Sequence, residues 1–540
     1  MDTIDPTELG LVVPATPPRD PGGPRTITEL LDGVIAEEPE HEILVGRHGR
    51  YTAMELEEAS NRAADVLWTL GVRPTDRVAA SMPNAASIVV AFLATMKVGG
   101  IWLGINRPLA GPEKAYMLRD SQTSVFLGDP DAVDQVAAHR AELGDLKEIV
   151  VVDPSGPSDE WSSMIGSAAS VRPELGTDPY APAAIAYTSG TTGFPKGAVH
   201  TQHNLLLPGK VAAHRGNRRP GGVLGVALPL TILNLMVLGP LLAYQNRMRL
   251  VAMDRIDAVG MAEWIQTEQI TTFSAVPAMV HDLLTHPEVT DEMLSSLDAI
   301  GVGGADMPDA FRRLYQERFH RRVGTGYGLT EAPTAVTSED LEAPEVPNSC
   351  GRPLPQVSIH ILGPSDEELG PGEVGEVCIG PSSEGAFADT YRPMLGYWNR
   401  PQESNEALRG GLLHTGDIGM LDEDDNLYIK DRKNDLIIRG GSNVYPAEVE
   451  RVLHEDPRVA ACAVVGRPDD RLGERVVAFV QPVDGESPDP EELLEVCRAQ
   501  LARYKVPDTI TFVDGFERTP MGKIRKTALR QTEKRLPKEP

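Results

Sequence analysis

Apolar residues along this 540-residue chain recur at two spacings, and the alternation between them predicts its elements. "DRVAASMPN" predicts a strand ending near Asn84, with Asn84 placed to cap the helix of "AASIVVAFLATMKVGG". In that helix Ile88, Phe92 and Met96 share one face with Val89 and Leu93 beside them, and Gly99 suits the C-terminal turn. "IWLGI" and "TSVFLGD" read as strands around a helix from Pro112 to Asp120, and "EIVVVD" as another strand. Strands alternating with helices imply parallel sheet. The alternation resumes through the helix "AVGMAEWIQTEQI" and the strand "TTFSAV". From Val346 to about Asp425 short apolar runs broken by Gly and Pro, such as "GEVGEVCIG", predict a β-rich subdomain.

Around "YIKDRKND" the chain becomes charged between two apolar strands, and the remainder of the chain reads as an independent unit. It offers a strand "DLIIRGG", a helix opened by Pro446 with Val449, Val452 and Leu453 inward, strands "VAACAVVG" and "VVAFVQPV", the helix "DPEELLEVCRAQLARY" and a last strand "TITFVD". The expected class is α/β: a large N-terminal region of parallel-sheet α/β subdomains plus a β-rich subdomain, and a small C-terminal α/β domain. The expected limits are a loosely ordered acidic, proline-rich arm at 1–25, the large region at 26–430, a connection at 431–435 and the small domain at 436–540.

Composition narrows the function. With 51 Lys and Arg against 79 Asp and Glu the net charge is −28, spread in short mixed runs, which argues against nucleic acid or an anionic membrane as the main partner. The four cysteines, Cys350, Cys378, Cys462 and Cys497, form no CxxC and have no neighbouring His at metal-ligand spacing, so they read as reduced residues of a cytoplasmic protein. The N-terminus lacks the basic start and apolar stretch of a signal peptide. Val223 to Tyr244 is uncharged and long enough to span a bilayer, but Pro229, Asn234 and Pro240 and the absence of flanking basic clusters favour a buried strand and helix.

"AIAYTSGTTGFPKGAVH", Ala184 to His200, concentrates small hydroxyls, glycines and one lysine between two apolar pieces. Gly190 and Gly193 allow close backbone approach to an anion, Thr188, Ser189, Thr191 and Thr192 add hydroxyls, and Lys196 adds positive charge. Pro195 before the lysine and Gly197 after it exclude the Walker pattern. Alone, the stretch fits a Gly/Thr hairpin as well as a phosphate loop. "GVGGADM" and "GTGYGLTEA" each lack the third glycine of a dinucleotide fingerprint, so neither supports a Rossmann cofactor. Further along come "LLHTGD", "IKDRKNDLIIRGGSNVYPAEVE" and "RTPMGKIRK".

This ordered set resembles the adenylate-forming superfamily of acyl- and aryl-CoA synthetases, nonribosomal adenylation domains and luciferases, and within it the carboxylic acid:CoA ligases. The resemblance runs from roughly Tyr51 to Lys526 and implies ATP, Mg²⁺ and coenzyme A as cosubstrates and cofactor. It implies that the 188–196 loop closes on the β- and γ-phosphates, that Gly303, Gly304 and Ala305 lie beside adenine and the acyl group, and that Tyr327 and Gly328 line the adenine. Thr330 would touch the α-phosphate, Glu331 would hold Mg²⁺, Asp417 would accept the ribose hydroxyls, and Arg432 would reach the ribose or phosphate side. Lys523 would stabilise charge on the α-phosphoryl oxygens as the substrate carboxylate attacks. Lys523, Thr188, Glu331 and Arg432 are thus the expected catalytic set.

The same resemblance implies two half-reactions and a rotation of the C-terminal domain about Asn434, where relatives usually carry Asp or Lys. Gly440 and Gly441 would then leave room for the pantetheine chain. The chain departs from its relatives in the acyl pocket: Thr231 and Ile232 stand where an aromatic residue and a His are common, and Thr325 replaces a Gln. Ile232, Asn234, Thr325, Ala332 and Thr334 are candidate pocket residues for an apolar carboxylic acid. His200, His203, His281 and His414 are not needed by the chemistry. A homodimer stays open, as do three rivals: loading of acyl-AMP onto a carrier protein, a luciferase-like oxidation, and nucleotide binding without catalysis.

Overall fold

The computed structural model describes the chain apart from residues 1–5, 13–15, 157–158, 174, 189–194, 217–220, 303–308, 321, 433–434, 440–441, 470–471, 519–522 and 534–540; a few further side chains, among them those of Thr334 and Arg432, also fall outside the description. Its contacts divide it into two units, one of residues 1–345, 351–359 and 379–414, the other of 346–350, 360–378 and 415–540.

Two sheets organise the first unit. A seven-stranded sheet runs in the order Gly396–Tyr397, Lys196–Thr201, Pro182–Thr188, Ile101–Gly104, Arg77–Ser81, Val125–Gly128, Glu148–Val151. The last five strands are mutually parallel, while Lys196–Thr201 pairs antiparallel on both of its edges. Their near-continuous apolar runs reflect burial on both faces: every residue of Arg77–Ser81 and Val125–Gly128 is buried. A six-stranded sheet has the order Ala299–Val302, Thr272–Ala275, Val223–Val226, Arg249–Ala252, Glu42–Gly46, Gly49–Thr52, parallel except for the last pair.

The helix Ala86–Lys97 is buried on nearly every side, with Phe92 packed edge-on against Trp102 at 5.5 Å. Asn84 does not cap it. The N-cap residue is Ala85, which makes no side-chain capping bond, and the Asn84 amide reaches across the fold instead. Its Nδ2 donates to the carbonyls of Val226, Leu228 and Met253, and its Oδ1 accepts the Leu230 N–H at 2.9 Å. The Val226 carbonyl also accepts the Met253 N–H, but the other three main-chain groups have Asn84 as their partner, and together they outweighed one local cap. The uncharged stretch 223–244 forms the strand Val223–Val226 and then a helical run from Leu233 to Gln245 that widens to a π-turn at Val237–Leu241, around Pro240. Among the described residues no helix is long and apolar enough to cross a membrane.

In the second unit the strands Ser442–Val444, Ile437–Arg439, Gly473–Pro482 and Val459–Asp469 form an antiparallel sheet, with Thr509–Phe512 added parallel to Gly473–Pro482. The helices Pro446–His454 and Pro490–Gln500 bury Val449, Val452, Leu453, Leu493 and Cys497 in a common core with this sheet. A smaller cluster of Val465, Val477 and Phe479 is covered by Val513, Phe516 and Leu529, the last on the helix Lys526–Glu533. Upstream, Leu413–Leu421 and Leu427–Arg432 pair antiparallel.

Candidate functional site

The Ser/Thr/Gly stretch is the connection of a hairpin: Pro182–Thr188 and Lys196–Thr201 pair antiparallel, and Thr188 stands opposite Lys196 at the last register position. Ser189, Gly190, Thr191, Thr192 and Gly193 lie outside the described residues. The stem is held from two sides. Tyr116 donates to the Pro195 carbonyl at 3.0 Å. Tyr187 donates to Asp120 at 2.7 Å, and Asp120 also accepts Arg400 at 2.7 Å. Burial, and then the Asp120 carboxylate, push the Tyr187 phenol well above its ordinary range, so it stays a neutral donor.

Lys196 Nζ sits 5.3 Å from the ring centroid of Tyr397, and Lys196 has no carboxylate partner among the described residues. In a chain this acidic, that leaves its charge available to an anion. The hydroxyl of the same Tyr397 donates to Glu331 Oε1 at 2.9 Å, and the Met394 N–H donates to the Glu331 carbonyl at 2.9 Å. Glu331 Oε2 is uncommitted among the described residues. A half-buried carboxylate oxygen is a hard donor, so Glu331 fits the Mg²⁺ expected there. Tyr397 was not legible as a site residue. "LGYWN" offers a lone aromatic with no spacing to mark it, and its meaning comes from strand pairing: Gly396 and Tyr397 lie opposite Val199 and Ala198.

The segment carrying Tyr327 is fixed by main-chain bonds. Thr325 and Glu339 exchange two bonds, Tyr327 N–H donates to Thr337 Oγ1 at 2.9 Å, and the Val336 and Thr337 N–H groups donate back to the Tyr327 carbonyl. Gly326 is required by close approach, because a Cβ there would stand 2.5 Å from the Thr337 carbonyl oxygen. Tyr327 and Thr330 are partly exposed and Gly328 exposed. Gly303, Gly304 and Ala305 lie outside the described residues.

Of the pocket candidates, Ile232 and Asn234 stand partly exposed at the start of the helical run at 233, directly after the loop that Asn84 ties down. Thr325 Oγ1 is buried without a hydrogen-bond partner among the described residues. Ala332 lines a cavity of ≈ 10 Å³ with Asn204, Gln356 and Tyr391, large enough for about one water; Ile232, Asn234 and Thr325 are not among its described lining residues. The side chain of Thr334 falls outside the description. His203 is structural, its Nε2 paired with the Thr390 carbonyl at 2.7 Å.

In the second unit Asp417, 4% exposed, lies directly opposite Arg432 across two antiparallel strands. Asn434, Gly440 and Gly441 lie outside the described residues. The flanks of the connection are tied: Asp431 accepts the Ala447 N–H at 2.8 Å near the start of the helix Pro446–His454, and Asp435 accepts Arg530 at 2.7 Å. Lys523 is exposed, just before Ile524, which bridges to Arg518.

Parallel-sheet layers followed by a small α/β unit, with a hydroxyl-rich hairpin beside a partly exposed glutamate, are the architecture of an adenylate-forming enzyme. The chain belongs to the AMP-binding enzyme family, which matches residues 31–391, while the AMP-binding enzyme C-terminal domain matches 448–523. It is 33% identical over 492 residues to the long-chain-fatty-acid–CoA ligase FadD13 of Mycobacterium tuberculosis, covering 89% of this chain and 93% of that one. It is 35% identical over 492 residues to a feruloyl-CoA synthase of Amycolatopsis, covering 90% and 95%. The ATP-bound crystal structure of MatB from Rhodopseudomonas palustris superposes with a TM-score of 0.85 at 28% identity, covering 94% of this chain and 99% of that one.

Proposed function

We propose that the protein is an ATP-dependent carboxylic acid:CoA ligase that works through an acyl-AMP. The observation that carries the reading is the meeting of Lys196 and Glu331, from distant parts of the chain, at the ring and the hydroxyl of one tyrosine beside the stem of the Ser/Thr/Gly hairpin. Relatives named as ligases of a fatty acid and of feruloyl groups support the reaction class.

In the first step a carboxylate oxygen attacks the α-phosphorus of ATP, the bond to the β-phosphate oxygen breaks, and pyrophosphate leaves. In the second the CoA thiolate attacks the acyl carbon and AMP leaves. The hairpin and Lys196 bind the β- and γ-phosphates, Thr330 orients the α-phosphate, Tyr327 and residues 303–305 receive adenine, Asp417 takes the ribose, and Arg432 reaches the ribose or phosphate side. Magnesium, when bound, neutralises phosphate charge, and Glu331 is the residue that would hold it. Lys523 places its ammonium at the α-phosphoryl oxygens in the first step and is withdrawn for the second by a turn of the chain at Asn434. Gly440 and Gly441 then admit the pantetheine.

The acid is apolar: Ile232 in place of an imidazole, and Thr325 in place of an amide, leave the pocket candidates with few groups to pair a second polar substituent. Four free cysteines suit a cytoplasmic setting. The test is mass detection of acyl-CoA after incubation with ATP, Mg²⁺ and CoA across short, medium, aromatic and alicyclic acids. A thioester with at least one apolar acid is expected; AMP release without thioester from any acid would remove the ligase reading.

A further inference from the structure

Lys196 and Glu331 carry opposite charge and share one neighbour, yet they form no ion pair with each other among the described residues. Tyr397 stands between them. Its hydroxyl donates to Glu331 Oε1 at 2.9 Å, and its ring receives the Lys196 ammonium at 5.3 Å. The ring has little freedom to move away. Leu395 and Trp398 N–H groups donate to the Val199 and Gly197 carbonyls at 2.8 Å, clasping the segment to the strand of Lys196, and the Tyr397 N–H donates to Ser404 Oγ at 2.9 Å. Gly396, at φ +135°, permits that last bond, since a Cβ there would lie 2.7 Å from Ser404 Oγ. The same segment holds Glu331 by its main chain through Met394.

A lysine and a glutamate within reach of each other pair in the absence of ligand, and each must be stripped from the other before it can serve phosphate or metal. A phenol between them satisfies both without neutralising either: the oxygen end gives a charge-assisted hydrogen bond, the face a cation–π contact. We propose that Tyr397 is a positioning residue that keeps the Lys196 ammonium and the Glu331 carboxylate apart and aimed, one for the ATP phosphates and the other for their magnesium ion. The inference rests on the ligase reading and adds to it a residue outside its motifs.

The two contacts separate by substitution. Tyr397→Phe keeps the ring under Lys196 and removes only the bond to Glu331; Tyr397→Leu removes both. ATP binding is measured by calorimetry in EDTA and across a magnesium titration, with pyrophosphate release as a second readout. For Tyr397→Phe the affinity for ATP in EDTA stays within about twofold of wild type, while the magnesium concentration at half-effect rises about tenfold, as expected for losing a hydrogen bond to a charged group. For Tyr397→Leu, metal-free ATP affinity also falls about fivefold. In a Glu331→Gln background Tyr397→Phe adds no more than about twofold, because the residue acts through that carboxylate. An unchanged magnesium requirement in Tyr397→Phe, or an undiminished tenfold effect in the Glu331→Gln background, would overturn the proposal. The isosteric Phe variant decides the matter even if the Leu variant does not fold. Wild-type protein that binds no ATP overturns the ligase reading itself, whereas wild-type binding with a silent Phe variant overturns only the role of Tyr397.

Discussion

His200 offers the most quantitative test of the fold around the site. It lies within the hairpin stem on the strand Lys196–Thr201, opposite Ala184, is 0% exposed, and neither ring nitrogen has a hydrogen-bond partner of good geometry among the described residues. Burial pushes its imidazole down from 6.5 to about 4, with the Thr330 main chain offsetting only part of that effect. The folded state therefore binds a proton less readily than the unfolded chain. The stability this confers is fully present above pH 6.5 and is lost as pH falls towards 4. With these two values the loss reaches about 2 kcal/mol at pH 5 and about 3 kcal/mol near pH 4. The perturbation is His200→Leu, which has no proton to take up. All five tryptophans, at 68, 102, 161, 264 and 398, belong to the first unit, so their fluorescence during urea unfolding tracks the unit that holds His200. Carboxylates elsewhere contribute equally to both proteins and cancel in the comparison. Between pH 7.5 and 5 the wild type should lose about 2 kcal/mol more than the variant. Slopes that agree within about 0.5 kcal/mol would refute the argument, because a buried neutral imidazole cannot be silent over that range.

Four other expectations follow, two from the geometry of the fold and two from the proposed reaction. Asn84→Ala strands the carbonyls of Leu228 and Met253 and the Leu230 N–H; it should cost about 1–3 kcal/mol in urea unfolding and raise KM for the acid more than KM for ATP, since the freed loop leads into Ile232. Gly104→Ala would place a Cβ 1.9 Å from the Thr231 carbonyl oxygen, a backbone clash that should lower stability by about 1–3 kcal/mol and disturb acid selection in the same direction, read by the same assays. Lys523→Ala should slow acyl-AMP formation about 10²–10³-fold while leaving thioester formation from supplied acyl-AMP largely intact, measured by single-turnover kinetics of each half. Asn434→Pro should keep acyl-AMP formation and lose the thioester step, checked in the same two assays.

Features that depend on local order were legible in the sequence. Helix periodicity, strand runs and the succession of glycine- and hydroxyl-rich motifs are properties of neighbouring residues, and they anticipated both parallel sheets and the small α/β unit. The placement of Asn84 was misread for the same reason: capping preference is local, and a cluster of unpaired main-chain groups reached from another sheet prevailed. Tyr397 escaped notice because its two partners come from separate strands and loops, and only the pairing of Gly396–Tyr397 with Lys196–Thr201 assembles them. The candidate pocket residues are the least legible, since Ile232, Thr325 and Ala332 sit on different elements and a pocket shared by them would depend on side-chain packing that no motif encodes.

The central claim is that this chain activates a carboxylic acid as its adenylate before CoA is engaged. Exchange of labelled pyrophosphate into ATP, measured with Mg²⁺ and an acid panel but without CoA, tests it most directly. The account predicts exchange that requires an apolar acid and is abolished in Lys523→Ala. Exchange that proceeds without acid, or never occurs until CoA is added, would contradict it.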